Sequence, residues 1–530
     1  MLFTSDEFIL FAAIVILLYY LLPKKCQWGI LLIASYLFYC FSGPKYLIYI
    51  VATTVSSYII SLQLDRLSKE QSAYIKEHKA ELSKEEKKQY KAQIKQKRWR
   101  WLLLCLFFNF GILAVVKYGN FTIHNINSIL HLFGSEKNIG FMNLVLPLGI
   151  SFYTFMTMGY MIDVYREKME AERNICKLAL MVSYFPQLIQ GPISKFDEMK
   201  KTMFQQHAFD KDVFASGMQR VLWGYFKKMV VADKIIVAVK ELIGNPEIYQ
   251  GAYVFVGMMF YAFELYCDFT GGIDITIGLS EAMGIQLTEN FHRPYFSKSI
   301  KEYWRRWHIS LGAWFTEYIF YPISVCKPML KFSKFTRNHM GEHMGKRVPV
   351  YVATITVWFV TGIWHGAAWN FIVWGLMNCL FLMLAEEMDP FYVWFHKKFH
   401  VQGKKWFRDF QIIRTVLLMS SLRMFDCYRD VPLTFRMWVS MFHVFNWNEL
   451  FQGGLLQLGM NMTDYLILII SLIIVFSVSV IQRTGSVRGK IHSLPYALRF
   501  VIWFGLFLLI LLWGAYGIGF DESQFIYNQF

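Results

Sequence analysis

Two histidines in aromatic, largely apolar surroundings are the side chains best suited to chemistry in this chain. His365 lies in GIWHGAAWN, at the joint between two strongly apolar runs, and His308 closes the aromatic and basic stretch YWRRWH. Imidazole titrates near neutrality and is the group most often used to move a proton, so this pair suggests an acid/base site. Each has an ordinary reading too. His365 could be an interfacial residue of a helix turn, with Trp364 and Trp369 as belt aromatics. His308 could be one histidine on a helix that continues through Ser310, Trp314 and Glu317, with Arg305 on the same face. Depth keeps the functional reading level with the interfacial one for His365: the run from Val348 to Ile363 spans at most about 24 Å as a helix, short of a ~30 Å hydrocarbon core. His365 is therefore expected within the membrane, where an ionisable group usually faces a cavity or a bundle interior.

Acidic residues raise a second question. Glu264, Asp268 and Asp274 fall in or beside an apolar helix, where carboxylates must be paired or hydrated, and Arg305 and Arg306 are their natural partners. These charges could equally be ion pairs that only fix helix packing. HMGEH at 339–343 matches the H-x-x-E-H pattern of zinc peptidases, with His339 and His343 as ligands and Glu342 as base. That chemistry needs a stable helix and a third ligand, whereas the motif contains Gly341 and is expected in a basic loop. It reads as a chance match, and no metal site is expected. No phosphate-binding glycine loop, G-x-S-x-G elbow or Cys/His cluster is present, which argues against an ATP-driven pump.

The elements that must position these groups are membrane helices. Of the 530 residues 55% are hydrophobic, 18% aromatic and only 17% charged, which is not the composition of a soluble domain. Charge-free runs recur, among them Phe8 to Pro23, Gln27 to Pro44, Tyr46 to Leu64, Trp101 to Val116, Asn143 to Ile162, Gly366 to Ala385, Tyr465 to Gln482 and Phe500 to Phe520. They predict roughly ten to twelve membrane-crossing helices with partial or re-entrant ones among them, in one integral membrane domain over residues 1–530. The charged segment 65–100 reads as a solvated helix or helical hairpin inserted in that domain. Lys24, Lys25 and this segment fall on one side, which the positive-inside rule makes cytoplasmic, so the N-terminus is expected outside the plasma membrane.

The net charge of +16 lies in loops between spans, where topology and anionic lipid account for it, and no nucleic-acid partner is expected. Pro147 and Gly149, and then Pro186, Gly191 and Pro192, interrupt apolar runs; such breaks should be buried in protein or line a cavity. Residues 211–243 carry Arg220, Lys227, Lys228 and Lys234 on one broad side and read as an interfacial helix. The eight cysteines show no paired spacing and read as small core residues.

LPLGISFYTF, YFPQLIQGPISKF, YCDFTGGIDITIGL, NFHRPYFSKSIKEYWRRWHISLGAWF and TGIWHGAAWNFIVWGL occur in this order. Together, and with the terminal FIYNQF, the chain resembles the membrane-bound O-acyltransferases, in particular their alginate O-acetyltransferase branch. It departs from them at TEYIFYPISV, where RDYLYIPLGG is usual and Glu317 stands in place of an aspartate.

The resemblance implies an all-α polytopic fold around a central funnel, with His365 matching the family's catalytic histidine and His308 its second one. Trp304, Arg305, Arg306, Asp268 and Asn370 are expected around the substrate or acyl donor. It further implies O-acetylation of an extracellular or cell-wall polysaccharide, from cytoplasmic acetyl-CoA as donor substrate and with no tightly bound cofactor. An extracytoplasmic partner protein is expected to complete transfer. D-alanyl or other acyl transfer to a teichoic acid-type polymer, or a non-catalytic transporter or scaffold subunit, are the alternatives.

Overall fold

A computed structural model describes residues 2–516, whose regular structure is all helical, with no strand among them. FIYNQF and the end of the Phe500–Phe520 run lie outside the described residues. Among the described residues seven helical stretches are long and apolar enough to cross a membrane, fewer than the ten to twelve that the apolar runs suggest. The difference lies in short helices: α1 (Asp6–Leu21) and α2 (Gln27–Cys40) hold 16 and 14 residues. At ~1.5 Å per residue they reach at most about 24 Å. The eight cysteines are free and four are buried, whereas Cys26 and Cys176 are exposed.

The described residues pack as two compact units, one of Met1–Phe214 with Ser280–Thr288, the other of Ala215–Leu279 with the residues from Glu289 onward. In the first, the charged segment 65–100 forms the ends of two long helices, α3 (Leu47–Glu77) and α4 (Lys84–Leu113), which pair as a hairpin. Ser83 starts α4 with a reciprocal cap: its hydroxyl accepts from Glu86 N at 3.2 Å, and the Glu86 carboxylate accepts from Ser83 N at 2.7 Å.

The run Asn143 to Ile162 is not one helix. Pro147 lacks a donor and Gly149 takes a left-handed conformation (φ 67°), so α5 begins only at Ile150 and ends at Tyr165. The second broken stretch is shielded as lipid physics requires, since every residue from Leu178 to Ser194 is buried. Its irregular backbone is held by side chains: Phe185 N donates to Ser35 Oγ at 3.1 Å, and Gln187 Nε2 donates to Pro192 O at 2.9 Å.

The second unit corrects the expected charge pairing. α6 (Lys211–Tyr225) continues through a π-helical stretch, Phe226–Ala232, that buries Lys227 and Lys228 against α7 (Ala252–Ala282). Lys228 Nζ lies 2.6 Å from Asp268, and Lys227 Nζ lies 2.6 Å from Asp274, which Arg220 also holds at 2.8 Å. These lysines and Arg220, and not Arg305 or Arg306, neutralise the aspartates of α7. Residues 211–243 are therefore no plain interfacial helix, because matching carboxylates on a facing helix let two lysines leave water.

Beyond α7, two short helices, α8 (Ile300–Arg306) and α9 (Ile309–Phe315), precede α10 (Lys327–His365) and α11 (Trp369–Glu387). α12 (Lys405–Tyr428), α13 (Met462–Ile481) and α14 (Tyr496–Trp513) follow. HMGEH lies within α10, not in a loop, but Gly341 takes φ 88° and ψ 167° and breaks the helix inside the motif. The one-face spacing of His339 and His343 is thereby lost, and Glu342 is engaged by Arg337 and Lys346. Among the described residues no group of three or more His, Cys, Asp or Glu side chains is placed to hold a metal ion.

α10 and α11 meet backbone to backbone. A Cβ on Gly362 would stand 2.5 Å from Phe371 O, and one on Gly375 would stand 2.4 Å from Trp358 O. Only glycine permits that approach, and it fixes the hairpin at whose tip His365 ends α10.

Candidate active site

His308 and His365 are both buried, and both lie on the wall of one cavity of about 1100 Å³ inside the second unit. Trp304 and Arg305 share that wall, with Trp307, Trp358 and Thr361. Arg306, Asp268 and Asn370 are not among its lining residues. Arg306 is bonded to Glu302 at 2.6 Å, Asp268 is held by Lys228, and Asn370 Nδ2 donates to Phe425 O at 3.1 Å. Each is occupied in packing, which is the structural reading of a buried polar group.

His308 does not continue a helix from Arg305, as its spacing suggests. α8 stops at Arg306, Trp307 is extended, and His308 takes a left-handed conformation (φ 49°, ψ 53°) before α9 begins. A histidine there is uncommon and must be held by its surroundings. The holder is Asn290, a fully buried residue that sequence reasoning did not single out. Its carbonyl accepts from Ile309 N at 2.9 Å, and its side-chain Oδ1 accepts from Ser310 N at 3.0 Å and Ser310 Oγ at 2.9 Å.

Those bonds settle a tautomer. A backbone N–H can only donate, so Asn290 Oδ1 is an acceptor, and His308 Nδ1, 3.2 Å away, must carry the proton. The neutral ring then presents Nε2 as its acceptor nitrogen. His308 lies outside the long apolar helices, and burial, with the Arg423 guanidinium second, pushes its imidazole down to about 3. The neutral form is therefore held throughout the physiological range.

His365 is packed edge to face between two indoles, with ring centroids 4.7 Å from Trp374 and 5.0 Å from Trp364; Trp364 in turn lies 5.7 Å from His308. Trp304 Nε1 donates to Asn378 Oδ1 at 3.2 Å, which fixes its indole on the cavity wall. The sequence reading also missed Arg423 of α12, a buried cation set over Trp304, Trp307 and Trp374. Its one signal was a charge inside the apolar stretch LLMSSLRMF. Asn290 gave none beyond opening the NFHRPYF motif.

Two buried imidazoles, one held as a neutral acceptor, on the wall of one cavity of about 1100 Å³ suit a membrane protein that transfers a group with movement of a proton. The profile of the MBOAT, membrane-bound O-acyltransferase family, matches residues 172–422, a range that holds both histidines. "Probable alginate O-acetylase AlgI" of Azotobacter vinelandii is 32% identical over 390 residues, covering 73% of this chain and 69% of that protein. "Peptidoglycan O-acetyltransferase" of Helicobacter pylori is 29% identical over 413 residues, 72% of this chain and 68% of that protein. "Teichoic acid D-alanyltransferase" of Bacillus subtilis is 25% identical over 259 residues, 48% of this chain and 62% of that protein. The chain belongs to the membrane-bound O-acyltransferase family. It is a multi-pass membrane acyltransferase.

Proposed function

We propose that this protein is an O-acetyltransferase of the plasma membrane, which takes an acetyl group from cytoplasmic acetyl-CoA and passes it outward for O-acetylation of a cell-surface or cell-wall polysaccharide. The observation that carries this reading is the shared cavity of His308 and His365. The names of the alginate and peptidoglycan relatives support an acetyl group and a polymer acceptor, and an extracytoplasmic partner protein would complete the transfer. The teichoic acid relative keeps D-alanyl transfer as the second reading, over a narrower match.

In the proposed step, His365 takes the proton of an acceptor hydroxyl as its oxygen attacks the thioester carbonyl. The C–S bond breaks, the ester forms, and the thiolate takes the proton from the His365 imidazolium to leave as free thiol. His308, with Nε2 as acceptor, suits an amide N–H of the donor arm better than an oxyanion, and Arg305 suits the anionic part of the donor, which it would hold in place.

The test is transfer from radiolabelled acetyl-CoA by the purified full-length protein. Positioned proton transfer supplies roughly 10²- to 10⁴-fold, so His365→Ala should lower the rate by at least about 10²-fold while the protein stays folded. Wild-type turnover in that variant would remove His365 from the mechanism, and no transfer by the wild-type protein would favour a scaffold role.

A further inference from the structure

Arg423 takes no part in the step written above, yet the fold buries its guanidinium among the tryptophans that wall both histidines. The guanidinium carbon lies 4.7 Å from the ring centre of Trp374, 5.1 Å from Trp307 and 5.6 Å from Trp304. Trp374 is the indole against His365, Trp307 is the residue before His308, and Trp304 lines the cavity. An Asp426 carboxylate lies 3.9 Å from Arg423 on the same helix. A planar cation can stack on several indoles at once, which an ammonium cannot do.

We infer that Arg423 is a positioning residue of the acyl-transfer site: its stacked guanidinium sets the indole wall on which His365 rests and keeps His308 the neutral acceptor of the pair. The inference rests on the proposed transfer site at these two histidines. Around His308 stand Asn290 on its Nδ1, Phe269 of α7 and Trp364 of α10 against its ring, and Arg423 with Asp426 from α12. Arg305 of α8 and His365 of α10 share its cavity. A fixed positive charge beside a buried imidazole opposes its protonation, and the low-dielectric surroundings strengthen that effect. Removing the cation must therefore let His308 protonate at higher pH than in the wild type.

Diethyl pyrocarbonate reads this without any donor, because it acylates only neutral imidazole. The full-length protein in detergent is treated between pH 5 and pH 8, and modification at His308 and His365 is measured by peptide mass spectrometry against N-acetylhistidine in the same tube. The free imidazole, with a value near 6.5, loses its neutral form across this range. In the wild type, modification of His308 relative to the reference should rise at least about tenfold from pH 8 to pH 5. In Arg423→Met, with both proteins carried on to pH 4, the His308 ratio there should fall at least about threefold below that of the wild type, by the loss of the cation.

Arg423→Lys keeps the charge and loses the plane. It should keep the His308 ratio while His365 reacts several-fold faster and acetyl transfer falls about 10²-fold, the loss expected when a reacting group is displaced. An Arg423→Met protein with the wild-type His308 ratio at pH 4 overturns the inference, as does an Arg423→Lys protein with wild-type His365 reactivity, or a wild-type His308 that stays unmodified at every pH. If Arg423→Met fails to fold, the lysine variant decides. The expected modification pattern in a protein inert toward acetyl-CoA would leave this assignment standing and remove the donor reading instead.

Discussion

At His308 and His365 one side-chain type is held for two kinds of work, and the difference comes from single neighbouring residues. Asn290 fixes which nitrogen of His308 carries the proton, whereas His365 is shaped by aromatic packing at a helix end. Arg305 is an exposed cation on the same cavity wall, as are Lys298, Lys301 and Arg414, and it is placed to meet the anionic part of a donor. If it positions the donor, Arg305→Ala should raise the apparent KM for acetyl-CoA about tenfold, a loss of about 1.4 kcal/mol, and change kcat less than about twofold. Steady-state kinetics with varied acetyl-CoA check this, and equal losses in kcat and kcat/KM would contradict it. The histidines and Arg305 stood out in the sequence because an ionisable group in an apolar setting needs a reason, whereas Trp304 entered only through the family resemblance. Asn290 and Arg423 did not, since their roles depend on residues 18 positions away for Asn290 and, for Arg423, on rings from α8, from the link after it and from α11. The lysines that neutralise Asp268 and Asp274 were misread for the same reason: a charge pattern shows which groups need partners, and only packing shows which ones they get.

At the scale of elements, breaks in helices place the chemistry as much as the helices do. The left-handed turn at His308 and the end of α10 at His365 each aim an imidazole where an unbroken helix would carry it round the barrel of its own turns. The second aim depends on the α10–α11 contact. Gly375→Leu would drive a side chain into Trp358 O, and overpacking of this kind typically costs about 1–3 kcal/mol. It should lower the thermal unfolding midpoint in detergent and reduce acetyl transfer at least about tenfold by displacing His365. Gly505→Leu on α14, where a Cβ meets nothing within 4 Å, serves as the control and should leave both unchanged. Equal behaviour of the two variants would show that the hairpin contact does not set the site. Helix type was readable along most of the chain from its apolar runs, as was the break at Pro147 and Gly149, but the kink at Gly341 inside a helix and the left-handed turn at His308 were not, because local preference only permits a break and tertiary contacts choose it.

For the whole molecule, the proposed direction of transfer depends on which side the basic segments face. Lys24 and Lys25 lie in an exposed turn after α1, and Lys84 lies at the exposed tip of the α3–α4 hairpin. α2 and α3 separate the two places, so if both helices cross, the two basic clusters share a side, and the positive-inside rule makes that side cytoplasmic. Donor would then be drawn from the cytoplasm and the acetyl group delivered to the opposite face. The geometry offers a direct check, because the hairpin tip is exposed and the exposed cysteines Cys26 and Cys176 can be replaced to clear the background. In that background Lys84→Cys should resist a membrane-impermeant maleimide in intact cells and react once the cytoplasmic face is opened, with at least about a tenfold difference in labelling. An insertion ordered by the Lys/Arg bias of short loops makes this outcome follow from the same residues that give the chain its charge of +16. Strong labelling in intact cells would invert the orientation, put acetyl-CoA on the wrong side of the membrane, and end the proposal that acetyl groups are exported while leaving the acyltransferase chemistry itself untouched.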